Sequence, residues 1–416
     1  MRRCLLLVTI LLCANVVEAQ ITLDDYRQDV ARHSHTIGIS NSEVDASLMD
    51  VKQARKGYLP SVVSYRTMSY AFDKQGDERR FDWSMRPEIN QTVYAGGAVR
   101  AAVKQAEARY DASIGSADEA NLAVRYEADV AYWELSRAEN YRRAVADYVQ
   151  IIESLRNVVA HRFEEGYTAK GDLLQVESRR SDAEYQLIAA EQRYLIALHN
   201  FNVLRGEDAS AEVVLAEDIM DTLNMPMRQS VSAIMERHPE YRVSLALEEQ
   251  SRWAIRAEGA EFMPSMGATI YGDMRPNIPN VKGAGTHLGG GILLSFTTPI
   301  FHFRERKVAV GAARRRYDSA QMRTAELAER ILLDESNGWT NLLTTRKRVD
   351  ATRRNLDLAK ENLDISTYAY NEGLTTILDV LQAQISWLQI YTNAITAQYD
   401  YAVAVATYQR LTATMP

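Results

Sequence analysis

Two hydrophobic periods divide the chain. From Phe81 the positions alternate: Phe81, Trp83, Met85, Pro87, Ile89 and Val93 fall on one side, and Asp82, Ser84, Arg86, Glu88, Asn90 and Thr92 on the other. A period of two over about twelve residues suits a tilted membrane-crossing strand. Pro87 removes a ladder donor, so a bulge or distortion is expected there. A less regular partner precedes it, joined through the polar run 73–80. The second half has the same plan, with Leu288, Ile292, Leu294 and Phe296 opposite Gly289, Gly291, Ser295 and Thr297. The expected strands are about 61–72, 81–94, 265–274 and 286–298, with an exposed Pro/Gly/Asn-rich loop over 276–285.

Elsewhere the period is helical. Of nine prolines, none falls between Pro87 and Pro226 or between Pro299 and Pro416. Ala, Glu, Arg, Leu and Gln fill both gaps, as strong helix formers do. The pattern predicts helices over 21–57, 98–163 and 172–204, then over 227–259, 303–370 and 379–413. Thr22 is a candidate cap for the first of these. At about 1.5 Å per residue the 98–163 helix is roughly 100 Å long, and two shorter helices end to end would match it. In the last helix Leu381, Ile385, Leu388, Thr392, Ile395, Tyr399, Ala402 and Ala406 follow a 4-3 spacing, a coiled-coil seam rather than a cofactor box. The corresponding first-half positions are more polar (Ser178, Ser181, Gln192), so the two hairpins should pack differently.

The two halves are copies. Residues 162–176 and 369–383 align with one offset: Phe163 on Tyr370, Glu165 on Glu372, Gly166 on Gly373, Thr168 on Thr375, Asp172 on Asp379, Leu174 on Leu381 and Gln175 on Gln382. Each copy breaks a helical pattern at one glycine and restarts it at an aspartate, which reads as a helix end followed by an N-capped helix. The junctions repeat as well: Gly57-Tyr58-Leu59-Pro60-Ser61 is echoed by Glu261-Phe262-Met263-Pro264-Ser265. A tip turn present at the same place in two half-chains is internal duplication. The expected division is repeats over 20–206 and 227–416, joined by a polar linker over 207–226.

Residues 1–19 carry Arg2 and Arg3, an apolar core and the ending Val17-Glu18-Ala19, which reads as a cleaved secretory signal peptide. Both cysteines, Cys4 and Cys13, lie inside it, so the exported chain would hold no disulfide and no thiolate metal site. A net charge of −7 argues against a nucleic-acid partner. No later run is apolar enough for a membrane-spanning helix. Four strands cannot close a barrel, and open edges in lipid cost several kcal/mol per unpaired group. Three chains supplying four strands each would close a twelve-stranded barrel, which points to a homotrimer.

The Gly-Tyr-Leu-Pro-Ser and Glu-Phe-Met-Pro-Ser junctions, Tyr94-Ala95-Gly96-Gly97 leading into Ala106-Glu107-Ala108, and the doubled Glu-Gly…Asp tip together resemble the outer-membrane efflux protein (TolC) family over residues 21–413. The resemblance implies a mainly α fold with a small β part: internally duplicated long helical hairpins, four transmembrane strands per chain, and a trimeric twelve-stranded β-barrel continuous with an α-helical barrel. It implies an exit duct in the outer membrane of a Gram-negative bacterium, projecting into the periplasm. Such a duct passively conducts drugs and other small molecules, or secreted polypeptides. Its expected partners are a periplasmic adaptor, an inner-membrane transporter of RND or ABC type, and outer-membrane lipid.

The residues then expected to matter lie at the tips. Asp172 and Asp379 are helix caps on capping preference alone, and threefold symmetry would also gather them into a ring of carboxylates at the entrance. Many relatives carry a second acid three positions after the second aspartate; Gln382 stands there, so this ring should be less negative. Tyr370 is placed to donate to Asp172 of the neighbouring hairpin. The turns at Gly166 and Gly373, with Thr168 and Thr375, are where an adaptor would dock.

Catalysis is not expected. The histidines at 33, 35, 161, 199, 238, 287 and 302 are dispersed, and no HExxH, GxSxG or Walker loop occurs. No cofactor or metal is expected. Two other non-enzymes share some features. A periplasmic adaptor needs one hairpin and a lipoyl-like module. A secreted coiled-coil scaffold has no use for the alternation of 81–93.

Overall fold

The computed structural model describes residues 20–70, 81–221, 223–276 and 286–415. The expected signal peptide, both cysteines, the 73–80 loop and the 277–285 part of the second loop lie outside them. The described chain forms two compact units. One comprises the described residues up to His35, Asn121–Gln229 and Asp334 onward; the other comprises Thr36–Ala120 and Ser230–Leu333.

The elements in order are α1 (Leu23–His33), α2 (His35–Arg55), a 3-10 turn (Lys56–Tyr58), β1 (Ser61–Tyr70), β2 (Phe81–Ala95), α3 (Ala98–Glu164), α4 (Lys170–Arg205), α5 (Val231–Arg237), α6 (Pro239–Ala260), β3 (Ser265–Pro276), β4 (Thr286–Thr297), α7 (Glu305–Asn371) and α8 (Ile377–Leu411). Helices α3 and α7 have 67 residues each, equal in length as duplication requires. Thr22 caps α1, its hydroxyl accepting from the Asp25 N–H at 3.1 Å. No helix among the described residues is long and apolar enough to cross a membrane.

The helices expected over 21–57 and 227–259 are each broken once. Ser34 and His238 both sit in extended backbone with ψ 115, and their N–H groups still reach back to Val30 and Ile234. Pro239 forces the second break, because a residue preceding proline is driven out of helical geometry. No proline stands after Ser34, so that break was invisible to pattern.

In the second unit the four strands form one antiparallel sheet in the order β1-β2-β3-β4. Register puts Val62 beside Ile89, Ile89 beside Ile270 and Ile270 beside Ile292, an apolar row across the whole sheet. Leu288, Leu294 and Phe296 extend that face and stay exposed. The opposite face is polar: Asn90 accepts from the Thr269 hydroxyl at 2.7 Å, and Arg86 pairs with Glu88 at 2.8 Å while stacking on Tyr271. Pro87 leaves a gap in the β2–β3 ladder without shifting register. The bulge lies at Val93 instead, between Thr92 and Tyr94. It removes Val93 from the apolar row and puts Tyr94 opposite Met266. Period-two counting cannot foresee a residue that drops out of the count.

In the first unit the segment expected as a linker is strapped to the helices. Ile21 pairs with Leu215 in a parallel bridge, the Ile219 N–H donates to Ser136 Oγ at 2.8 Å, and Asn140 donates to Asp218 at 2.9 Å. Ile219 is buried. Both copies also hold a bidentate ion pair on the long helix. Arg27 binds Asp129 at 2.5 and 2.7 Å, and Arg228 binds Glu335 at 3.0 Å through both nitrogens. The second helices of the two hairpins bury different surfaces. α4 buries Val176, Ala183, Ala190 and Ala197 at a spacing of seven, whereas α8 buries two broad stripes through Leu381, Leu388, Ile395 and Ala402 and through Val380, Trp387 and Ala394.

Candidate functional site

The tip turns lie in the first unit, and both close by the same hydrogen bonds. Gly166 and Gly373 adopt left-handed backbone, φ 81 and 75. Their N–H groups donate to the carbonyls of Phe163 and Tyr370, and the next N–H, of Tyr167 or Leu374, donates to Arg162 or Ala369 at 2.8 Å. This is the glycine-centred Schellman helix stop. A side chain at either glycine meets open space, so the constraint there is purely backbone.

Asp172 and Asp379 are not the caps that the sequence suggested. The N-caps are Ala169 and Thr376, which puts both aspartates one turn inside their helices. Each accepts from the threonine four residues back, Thr168 at 2.7 Å and Thr375 at 2.6 Å. In the second copy Thr376 adds its N–H at 3.0 Å and its hydroxyl at 2.7 Å, the carboxylate half of a capping box. The first copy has Ala169 at that position and lacks those two bonds. Asp379 is exposed, Asp172 half-buried and Gln382 exposed.

The hydroxyls of Thr375 and Thr376 and the Thr376 N–H hold the Asp379 carboxyl below its ordinary value of 3.8. A depressed carboxylate stabilises the folded turn above its unfolded value and loses that contribution as pH falls through the lower folded one. A spin label at Leu374 is therefore expected to gain mobility as pH drops below about 3.8. In Asp379→Asn the same label should be mobile already, with no such step; a matching acid transition in that variant would assign the effect to another group.

Tyr370 is buried beneath Arg162, whose guanidinium lies 4.9 Å from the ring centroid. Arg162 also donates to the backbone carbonyls of Tyr370 at 3.1 Å and Asn371 at 2.6 Å. The end of α3 is thus tied to the end of α7 by one side chain, across the two copies. Sequence reasoning passed over Arg162. The signal available was the copy alignment itself, which places Ala369 at the equivalent position. It also passed over Tyr167 and Leu374, the exposed residues that follow the two glycines. Around the tips, Val159, Val176, Ile377, Val380 and Leu381 form a continuous apolar core.

The outer membrane efflux protein family model matches residues 26–207 and again 231–414, one match for each copy. The chain belongs to the outer membrane efflux protein family. Its place is the outer membrane, and family and fold are those of channel proteins. Among curated relatives it is similar to the outer membrane efflux protein BepC of Brucella suis, 21% identical over 413 residues, covering 97% of this chain and 88% of that one. It is also similar to the proteases secretion protein PrtF of Dickeya chrysanthemi, 26% identical over 182 residues; this match spans 40% of the chain and only 39% of PrtF. Among solved structures, the open state of the Neisseria gonorrhoeae MtrE outer membrane channel superposes with a TM-score of 0.82 at 17% identity, covering 95% of this chain and 91% of that one. The fold is therefore that of the TolC-like channels.

Proposed function

We propose that three copies of this chain form the outer-membrane exit duct of a tripartite export system. In this reading the duct conducts small molecules or polypeptides passively, supplied by a periplasmic adaptor and an inner-membrane transporter. The observation that carries it is the four-stranded sheet, apolar on one side, polar on the other, with β1 and β4 each paired on one edge only. Closure through neighbouring copies satisfies those edges, since a barrel is the only sheet that lipid tolerates. Exposed apolar residues in heptad register, Leu174, Ile188 and Leu195 on α4 at intervals of fourteen and seven and Leu358 and Ile365 on α7 seven apart, support the same assembly through helical seams.

The tips form the entrance. Asp172 and Asp379 supply six carboxylates around it, and Gln382 leaves the ring less charged than a second acid would. The turns at Gly166 and Gly373, with Thr168 and Thr375 and the exposed Tyr167 and Leu374, are the docking surface for the adaptor. Tyr370 meets Asp172 of the neighbouring hairpin in the closed entrance. Arg162 braces the two hairpins of each chain against opening.

Single-channel recording in planar bilayers tests this. The protein should conduct, and Arg162→Ala should raise conductance several-fold by freeing the turn that ends α7. Gln382→Glu should deepen block by multivalent cations. A chain that stays monomeric and soluble without detergent would sink the reading and favour a secreted coiled-coil scaffold. A monomer that conducts nothing but binds an inner-membrane pump would favour an adaptor.

A further inference from the structure

We propose that a cavity in the second unit, where the strands meet the helices, binds the anionic headgroup of a membrane phospholipid. The cavity, of about 930 Å³, is bounded by the turn after β2, the end of α6 and the start of α7. Arg100, Arg256, Arg304, Arg306, Lys307 and Arg314 line it, and no carboxylate does. Of the acids near it in the chain, Glu107 pairs with Arg55, Glu305 with His302 and Asp318 with Arg315, and Glu258 and Glu261, next to the lining Gly259 and Ala260, do not themselves line the cavity. Among the described residues none of the six cations is ion-paired to a carboxylate. Six like charges around one cavity, in a chain of net charge −7, repel one another unless an anion joins them.

The backbone adds to the demand. Arg306 and Lys307 occupy the first turn of α7, the end where a helix favours negative charge and disfavours positive. Arg304, just before it, is held in left-handed backbone at φ 67, a conformation that persists only where the surroundings impose it. Trp253 forms an apolar wall, with the Arg256 and Arg100 guanidinium groups 4.5 and 5.9 Å from the ring centroid, and its indole N–H donates to Glu249 at 2.8 Å.

An apolar flank separates a phospholipid from a free phosphate. Between the end of β4 and Arg304 stand Ile300, Phe301 and Phe303, respectively 94%, 70% and 87% exposed, with the two phenyl rings in edge contact at 4.6 Å. A free anion leaves that cluster in water, whereas a diacyl lipid covers it while placing its phosphate among the cations. The assignment rests on the sheet lying in the outer membrane.

The test uses the full-length assembled protein in detergent. Native mass spectrometry would follow retention of phosphatidylglycerol against zwitterionic phosphatidylethanolamine, with inorganic phosphate as competitor. Wild type should retain phosphatidylglycerol at least tenfold better. Arg304→Gln/Arg306→Gln/Lys307→Gln should erase that preference, and Phe301→Ser/Phe303→Ser should weaken retention several-fold. Lys347→Gln/Arg354→Gln/Lys360→Gln, an equal loss of charge elsewhere on α7, should leave it intact. Should the cavity triple variant fail to assemble, Lys307→Gln alone is expected to weaken retention about threefold, and no change there overturns the site. Equal losses in both triple variants would mean diffuse charge attraction. Displacement by millimolar inorganic phosphate would mean a free-anion site. Either result, or no preference in wild type, overturns the proposal. A protein that conducts in bilayers yet shows no lipid preference refutes this inference alone, whereas one that neither conducts nor needs detergent refutes the duct.

Discussion

Arg27→Ala is expected to destabilise the first unit by about 3–5 kcal/mol, the range for breaking one side of a buried ion pair. Asp129 is 1% exposed, and both of its oxygens accept from Arg27. Burial pushes the Asp129 carboxyl above its ordinary range even while Arg27 pulls it down. Removing the guanidinium takes away the main opposing influence, so burial and the Asp24 charge push the carboxyl further toward its protonated form against Arg125 alone, which keeps the loss near the lower end of that range. Arg27→Met with Asp129→Leu should recover most of the stability, because an apolar pair carries no desolvation cost. The second copy offers an internal control. Arg228 is more exposed than Arg27, and Glu335 keeps the Tyr408 hydroxyl as a donor at 3.2 Å. Arg228→Ala should therefore cost clearly less than Arg27→Ala. Denaturant titration of the purified protein measures all three variants. A loss at Arg27 no greater than at Arg228 would show that burial does not set the scale here.

Gly96→Ala is expected to prevent assembly of the sheet with its helices. Gly96 has φ 59, and an added Cβ would lie 2.4 Å from Met263 Cβ and 2.8 Å from the Ala260 carbonyl oxygen. Left-handed backbone costs a non-glycine residue about 1–3 kcal/mol, and forcing a methyl into filled space costs about 1–3 kcal/mol more. The close neighbours are backbone and a Cβ, which cannot swing aside as the end of a long side chain does. Gly97 is the comparison: φ is 91, but the added Cβ meets nothing within 4 Å. Gly97→Ala should lose only the backbone contribution and still assemble. Yield of heat-modifiable oligomer in the outer membrane measures both. Equal yields would show that the approach to Met263 relaxes without consequence.

How far the sequence reached depended on whether the cause was local. Tip turns were legible because a helix stop followed by a restart needs a glycine and then polar residues within one turn. The strands were legible because a sheet with two unlike faces writes a period of two into the chain. The position of the N-caps was misread by a few residues, since Thr375, Thr376 and Asp379 are all capable hydroxyl or carboxylate groups and only coordinates show which accepts from which. Duplication itself misled at one point. It drew attention to what the copies share, while Arg162, the residue that ties them together, is where they differ.

By itself, then, the sequence determined the long helices between prolines and the two-faced strands, which follow from periodicity and composition within short windows; the duplication and the family it carried in recurring motifs, the paired tips and junctions. Tertiary structure alone decided the break at Ser34, the bulge at Val93, the strapping of 207–226 onto α3, the Arg27–Asp129 and Arg162–Tyr370 contacts, and the gathering of Arg100, Arg256 and Arg304 around one cavity. Apart from the break at Ser34, whose printed hydrogen bond is local, each of those depends on groups far apart in the chain, and no local period encodes which distant partner a charge or a carbonyl will meet.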